Sequence, residues 1–188
     1  MGESPQRQRP RMVGVVADSY TLDVLAIDVA DAVEGAGGLM FDRQHEGWTV
    51  RVFVLHELDA EPLQILGVQG FPCDGSAASS FTAARPGTAL ALSGAAMADA
   101  DLLGRDVWSR WRRQSAEVTV WGEPPEHLRD QMVVMEHRLS GAAHAFKAYA
   151  WAACARGPFT PGNERFHGTG LLCTPLNPDL VPITMATG

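Results

Sequence analysis

Residues 88–122 constrain the fold more than any other stretch of the chain. "TALALS" (88–93) and "AEVTVWG" (116–122) read as strands, and "DADLLGRDVWSRWRRQ" (99–114) between them carries Ala100, Leu103, Val107 and Trp111 on one helical stripe. Aspartates in the first turn of that helix and arginines in its last complement the helix dipole. A strand–helix–strand unit joins parallel strands by a right-handed crossover, because a twisted strand feeding a right-handed helix packs back onto the sheet only that way. The expected class is therefore α/β: a Rossmann-like mixed sheet, mostly parallel, in two or three layers. With 188 residues, 46% hydrophobic and 20% charged, the chain suffices for a single domain, expected over 12–157.

The remaining elements follow from periodicity. "MVGVVAD" (12–18) is β-branched and ends in a turn former, so it is expected to be the first strand. In "SYTLDVLAIDVADAVEGAGG" (19–38) the spacing of Leu22, Leu25, Ala26, Val29 and Val33 predicts a helix that "GAGG" closes. "WTVRVFVL" (48–55) and "PLQILGV" (62–68) are read as strands. The link between them, "HELDAE", is too short for a helical crossover, so an antiparallel pair is expected. Residues 70–87 are rich in turn formers and are read as a loop. From 125 to 155 the series Leu128, Met132, Met135, Leu139, Ala142, Phe146, Tyr149 and Ala153 recurs in threes and fours, predicting one long C-terminal amphipathic helix. Residues 1–11 are read as a disordered basic tail and 158–188, rich in proline, as an irregular docked arm.

Charge and cysteines narrow the function classes. A net charge of −7 and a pI near 5.3 disfavour a basic surface for nucleic acid or an anionic membrane. Cys73, Cys154 and Cys173 are far apart and form no CxxC pair, which suggests neither a zinc site nor a disulfide framework, and a reducing cytoplasm is expected. No run approaches the ~20 apolar residues of a membrane span.

In open α/β sheets ligands collect beyond the carboxyl ends of the parallel strands, where loops converge and helix N-termini present unpaired N–H groups. Those ends carry Asp18 and Ser19, His56 and Glu57, Ser93 and Gly94, and Glu123. Asp18, His56, Glu57 and Glu123 are the candidate catalytic residues; Ser19, Ser93 and Gly94 are candidate ligand contacts. The competing reading is structural: Asp18, Ser19 and Ser93 suit helix N-caps, and Glu123 before Pro124 and Pro125 suits a helix start. His127, His137 and His144, with Asp130, Ser140 and Lys147, read as a solvated polar stripe without metal-ligand spacing. Trp111 within "WSRWRR" falls on a buried stripe, and Cys73 in "FPCDGS" reads as an ordinary loop thiol. Asp42 and Arg43 in "FDRQHEGW" are expected to bridge to another element and fix a helix–strand angle.

No local catalytic signature is present: there is no HExxH, no GxSxG and no phosphate-cradling glycine loop. The sequence reading therefore favours a non-catalytic α/β module for protein interaction or self-association, binding through 125–155 and 158–188 and needing no cofactor. The alternatives are a metal-dependent phosphoester or nucleotide hydrolase, with Mg²⁺ or Mn²⁺ held at the strand ends, and a small-molecule-binding sensor.

Overall fold

The computed structural model describes residues 20–73, 88–98, 111, 113, 115, 117–159, 161–168 and 180–182. In chain order the elements are β1 (Thr21–Ala26), α1 (Val29–His45), β2 (Thr49–Val54), α2 (Ala60–Ile65), β3 (Gln69–Pro72), β4 (Thr88–Ser93), α3 (Gly94–Ala98), β5 (Glu117–Trp121), α4 (Glu126–Arg129), β6 (Val133–His137), α5 (Gly141–Ala153), β7 (Glu164–Gly168) and β8 (Leu180–Pro182). The strands form one 8-stranded sheet of order β3-β2-β1-β4-β5-β7-β6-β8. Pairing is parallel from β3 through β5 and antiparallel from β5 through β8. The mixed, mostly parallel α/β sheet agrees with the expectation, and β4 and β5 are the parallel pair that the 88–122 pattern demands. Strand order reverses between β1 and β4, so the helices that follow those two strands pack on opposite faces of the sheet.

Strands in the middle of this sheet are apolar on both faces, as parallel strands covered on two sides must be. Leu22, Val24 and Ala26 of β1 join Val50, Val52 and Val54 of β2 and Ala89 and Ala91 of β4 in the core under α1, α2 and α5. Leu25, Phe53, Leu90, Leu92, Val118 and Val120 point the other way, into a second core that includes Trp111. One charge sits in this apolar setting: Asp23, 2% exposed, lies opposite Arg51 in the β1–β2 register. Arg51 Nε and Nη2 donate to its two oxygens at 2.7 and 2.6 Å. That bidentate bond holds the guanidinium above its ordinary pKa.

Five expectations about elements are corrected. First, "TLDVLA" is β1, not helix, and the helix runs instead through Val29–His45. Second, "PLQILGV" (62–68) is not a strand antiparallel to β2: Ala60–Ile65 form the short helix α2, because Asp59 caps a turn with Pro62 in it by accepting from Glu61 N–H at 3.1 Å, and the strand beside β2 is β3, parallel to it. Third, the long helix over 125–155 is really α4, β6 and α5, broken where Ser140 caps α5 by accepting from Ala143 N–H. Fourth, β7, drawn from the expected irregular arm, lies inside the sheet between β5 and β6, and β8 from the same arm pairs with β6. Fifth, His137 belongs to no solvated stripe. It is buried on β6 with Nε2 3.0 Å from Asp42 Oδ2, so Asp42 does tie α1 to another element, as Arg43 does through Glu117 at 3.3 Å. The expected tail (1–11), first strand (12–18) and loop from 74 to 87 lie outside the described residues.

"GAGG" (35–38) does not close α1; it lies in the middle of it. A methyl group on Gly35 would overlap the Trp121 indole, one on Gly38 would overlap Leu139, and one on Gly37 would stand 3.2 Å from Lys147 Cγ. The glycines therefore let β5 and α5 approach the helix backbone. At the same turn Gly38 and Leu39 N–H donate to the two oxygens of Glu164 at 2.7 and 2.9 Å, while Lys147 Nζ donates to Glu34 carbonyl at 2.7 Å and to Glu164. Both charged side chains are 2% exposed. The pair thus borrows the backbone groups of α1 to satisfy its hydrogen-bonding capacity, which a buried charge requires.

Candidate functional site

The N-terminus of α1 joins the tips of β1 and β5. Asp28 is the N-cap of α1, with extended backbone (φ −144°, ψ 178°), and its Oδ1 accepts from Asp31 N–H at 2.8 Å. Asp31 returns the bond one residue further out: Oδ2 accepts from Ile27 N–H at 3.0 Å, and Oδ1 accepts from Trp121 Nε1–H at 2.9 Å. This reciprocal cap satisfies the orphan donors at the helix start and also ties the end of β1 to the end of β5. Asp28 Oδ2 accepts from Arg156 at 2.8 Å. Neither aspartate was singled out from the sequence as a site residue, since "TLDVLA" was read as part of the helix and the strand end before Asp28 was not seen. The D-x-x-D spacing just before an apolar period is the capping signal that marks them.

The expected site residues separate into two groups. His56 and Glu57 follow β2 and line a cavity of about 560 Å³ with Asp28, Asp59, Cys154 and Arg156. Burial, reinforced by Asp59 and Asp28, pushes the Cys154 thiol up to about 11. Ser93, Gly94 and Glu123 line a second cavity of about 640 Å³ at the tips of β4 and β5, with Asp31, Trp121, Pro124, Pro125, His127 and Arg129. The tips of β2 and β5 are three strand spacings apart, roughly 14 Å. His56 and Glu123 therefore do not share one metal or water as the strand-end metal site required. Asp18 and Ser19 lie outside the described residues.

Within the second cavity the structural and chemical readings can be told apart. Ser93 Oγ accepts from Ala96 N–H at 3.3 Å, so it caps α3. Gly94 is glycine for packing: a side chain there would overlap the backbone carbonyl of Glu123. Glu123 itself is not a helix cap. The N-cap position of α4 is Pro125, with no side-chain cap bond, and Gly122 (φ 71°) turns the chain so that the Glu123 side chain stands 75% exposed, paired with Arg129. His127, on α4, is exposed on the same wall. Asp31 and Trp121 also line a third cavity of about 510 Å³, into which Lys147, Phe159 and Glu164 face. Among the described residues no three His, Cys, Asp or Glu side chains group closely enough to hold a metal ion, and no helix is long and apolar enough to cross a membrane.

No family model and no curated protein matches the chain. Solved structures similar in fold include two deacetylases. One is a deacetylase of the teicoplanin biosynthetic pathway, 12% identical, with a TM-score of 0.50 over 88% of this chain and 99% of that one. The other is an A40926 pseudoaglycone deacetylase, 14% identical, with a TM-score of 0.49 over 79% of this chain and 96% of that one. The expectation of a non-catalytic interaction module is corrected on this ground: the mixed sheet shares its fold with a protein described as a deacetylase, over 99% of that chain.

Proposed function

We propose that the chain is a hydrolase of acyl amides, acting in the cavity at the tips of β4 and β5. Fold alone does not choose a chemistry. What favours this one, in a fold shared with a deacetylase, is that a single cavity presents an exposed carboxylate, Glu123, and an exposed imidazole, His127, beside an apolar wall of Met97, Trp121, Pro124 and Pro125. The apolar wall suits a small acyl group such as acetyl. Glu123 takes a proton from water as the water oxygen bonds to the carbonyl carbon. His127 then passes a proton to nitrogen as the C–N bond breaks and takes one back from the new carboxyl group, leaving a carboxylate and a free amine, while Glu123 returns its proton to bulk water. Asp31, with both oxygens engaged, keeps Trp121 and the β1 tip in place and takes no part in proton transfer.

The test is acetate release from a panel of N-acetylated amines, with and without added Mg²⁺ or Mn²⁺. Glu123→Gln and His127→Ala should each lower turnover by about a hundredfold or more, the ordinary contribution of a positioned acid or base. Absence of release from every member of the panel, or variants as fast as the parent, would discard the reading.

A further inference from the structure

Trp121 stands between two cavities. The one that holds Glu123 and His127, about 640 Å³, and the one beside Phe159, about 510 Å³, have Asp31, Trp121 and Gly122 in common. Of these three only the indole is bulky. Gly122 has no side chain, and a Cβ there would meet nothing within 4 Å, so no neighbouring group fills the gap at that turn. Trp121 is 4% exposed and is held from two directions. Its Nε1–H donates to Asp31 Oδ1 at 2.9 Å, and its ring lies so close to α1 that a methyl group on Gly35 would overlap it. Asp31 in turn is fixed, because its other oxygen accepts from Ile27 N–H at 3.0 Å. A side chain anchored in this way does not swing aside for a ligand.

We infer that Trp121 sets the length of the acyl group, limiting the enzyme to short chains such as acetyl, and that the cavity behind the indole is the room a longer chain would need. The inference rests on the hydrolase reading of the Glu123 cavity. There the acyl group lies against Met97, Trp121, Pro124 and Pro125, and a chain that outgrows this wall meets the indole. The space behind it is walled by Gly35 and Phe159 and floored by Lys147 and Glu164. Those two charges are 2% exposed and already hydrogen-bonded to each other and to α1, so an entering chain strips water from no unpaired group. One anchored side chain, and no unfavourable chemistry, therefore separates the two volumes.

The test is kcat/KM for the N-acetyl, N-butanoyl and N-hexanoyl forms of one amine, measured on the parent, Trp121→Leu and Trp121→Phe. The parent should lose about tenfold or more at each lengthening, the discrimination that a closed apolar pocket exerts on methylenes that do not fit. Trp121→Leu should hydrolyse the hexanoyl amide about tenfold faster than the parent does, with acetyl hydrolysis no faster. Trp121→Phe keeps a ring against Gly35 and so keeps the fold, but loses the bond to Asp31; its preference should move the same way by about threefold or more. Circular dichroism checks both variants. A parent indifferent to chain length, or folded variants with the parent's length profile, would overturn the inference and leave the hydrolase reading standing. A parent that cleaves none of the three amides removes the hydrolase reading and the inference together.

Discussion

Two carboxylates of this molecule meet cations in opposite ways. Glu164 is buried with Lys147, and its oxygens accept from two backbone N–H groups of α1 as well as the ammonium. Glu123 pairs with Arg129 in the open, where water competes for both partners. The first arrangement is rigid because every alternative leaves a charge without hydrogen bonds inside a core. The second leaves its carboxylate free to exchange partners. The difference teaches that a buried acid in this chain is committed to holding the fold while an exposed one is not, and Asp31 stands between them, half-buried and bonded at both oxygens.

Breaking the buried side should cost most. Glu164→Ala leaves the buried Lys147 ammonium with the Glu34 carbonyl but no counter-charge, and two amide groups without the carboxylate, and guanidinium denaturation should find the variant less stable by about 3–5 kcal/mol. Asp31→Ala removes one side chain that serves two donors, Ile27 N–H and the Trp121 indole; a loss of about 1–3 kcal/mol in the same assay would place it between the extremes. Glu123→Gln should change stability by less than about 1 kcal/mol, as exposed pairs do, while lowering acetate release. If that variant proved as damaging to the fold as Glu164→Ala, the contrast between the two acids would collapse. The smallest effect concerns Cys154. Its thiol is held up to about 11, so alkylation should be slow near neutral pH and accelerate as pH rises toward that value. The raised value also means the folded state binds this proton more tightly than the unfolded chain, so any stability it confers is complete below the unfolded value and fades as pH climbs through about 11.

Much of the sheet was legible because its strands carry strong local patterns. "TVRVFV", "TALALS" and "EVTVW" are β-branched or apolar runs with clear punctuation, and they became β2, β4 and β5. β1 was hidden because Leu22, Leu25 and Ala26 happen to continue the spacing of Val29 and Val33 in the helix that follows, and the N-cap at Asp28 falls inside that accidental run. The same coincidence joined β6 to α5: Met132, Met135, Leu139 and Ala142 keep a helical interval across a strand and a turn. Periodicity reports local spacing and is blind to a change of element that preserves phase. Of the site, the strand-tip residues Ser93, Gly94 and Glu123 were found because the rule about carboxyl ends is topological. Asp28 and Asp31 were missed with the strand that they follow, and His127 was set aside because the long helix placed it on a solvent face instead of a cavity wall.

The bond between Asp23 and Arg51 bears on how the sheet assembles. Side chains alternate across a strand, so sliding β2 by a single position would carry Arg51 to the opposite surface of the sheet, among Val50 and Val52's apolar neighbours, and abandon Asp23 in oil. A hydrophobic run as uniform as the middle of β4 tolerates slippage, since valine on leucine costs little wherever it lands. One ionic peg in an otherwise greasy ladder makes every misaligned pairing expensive, and so proofreads the central strands as they zip together.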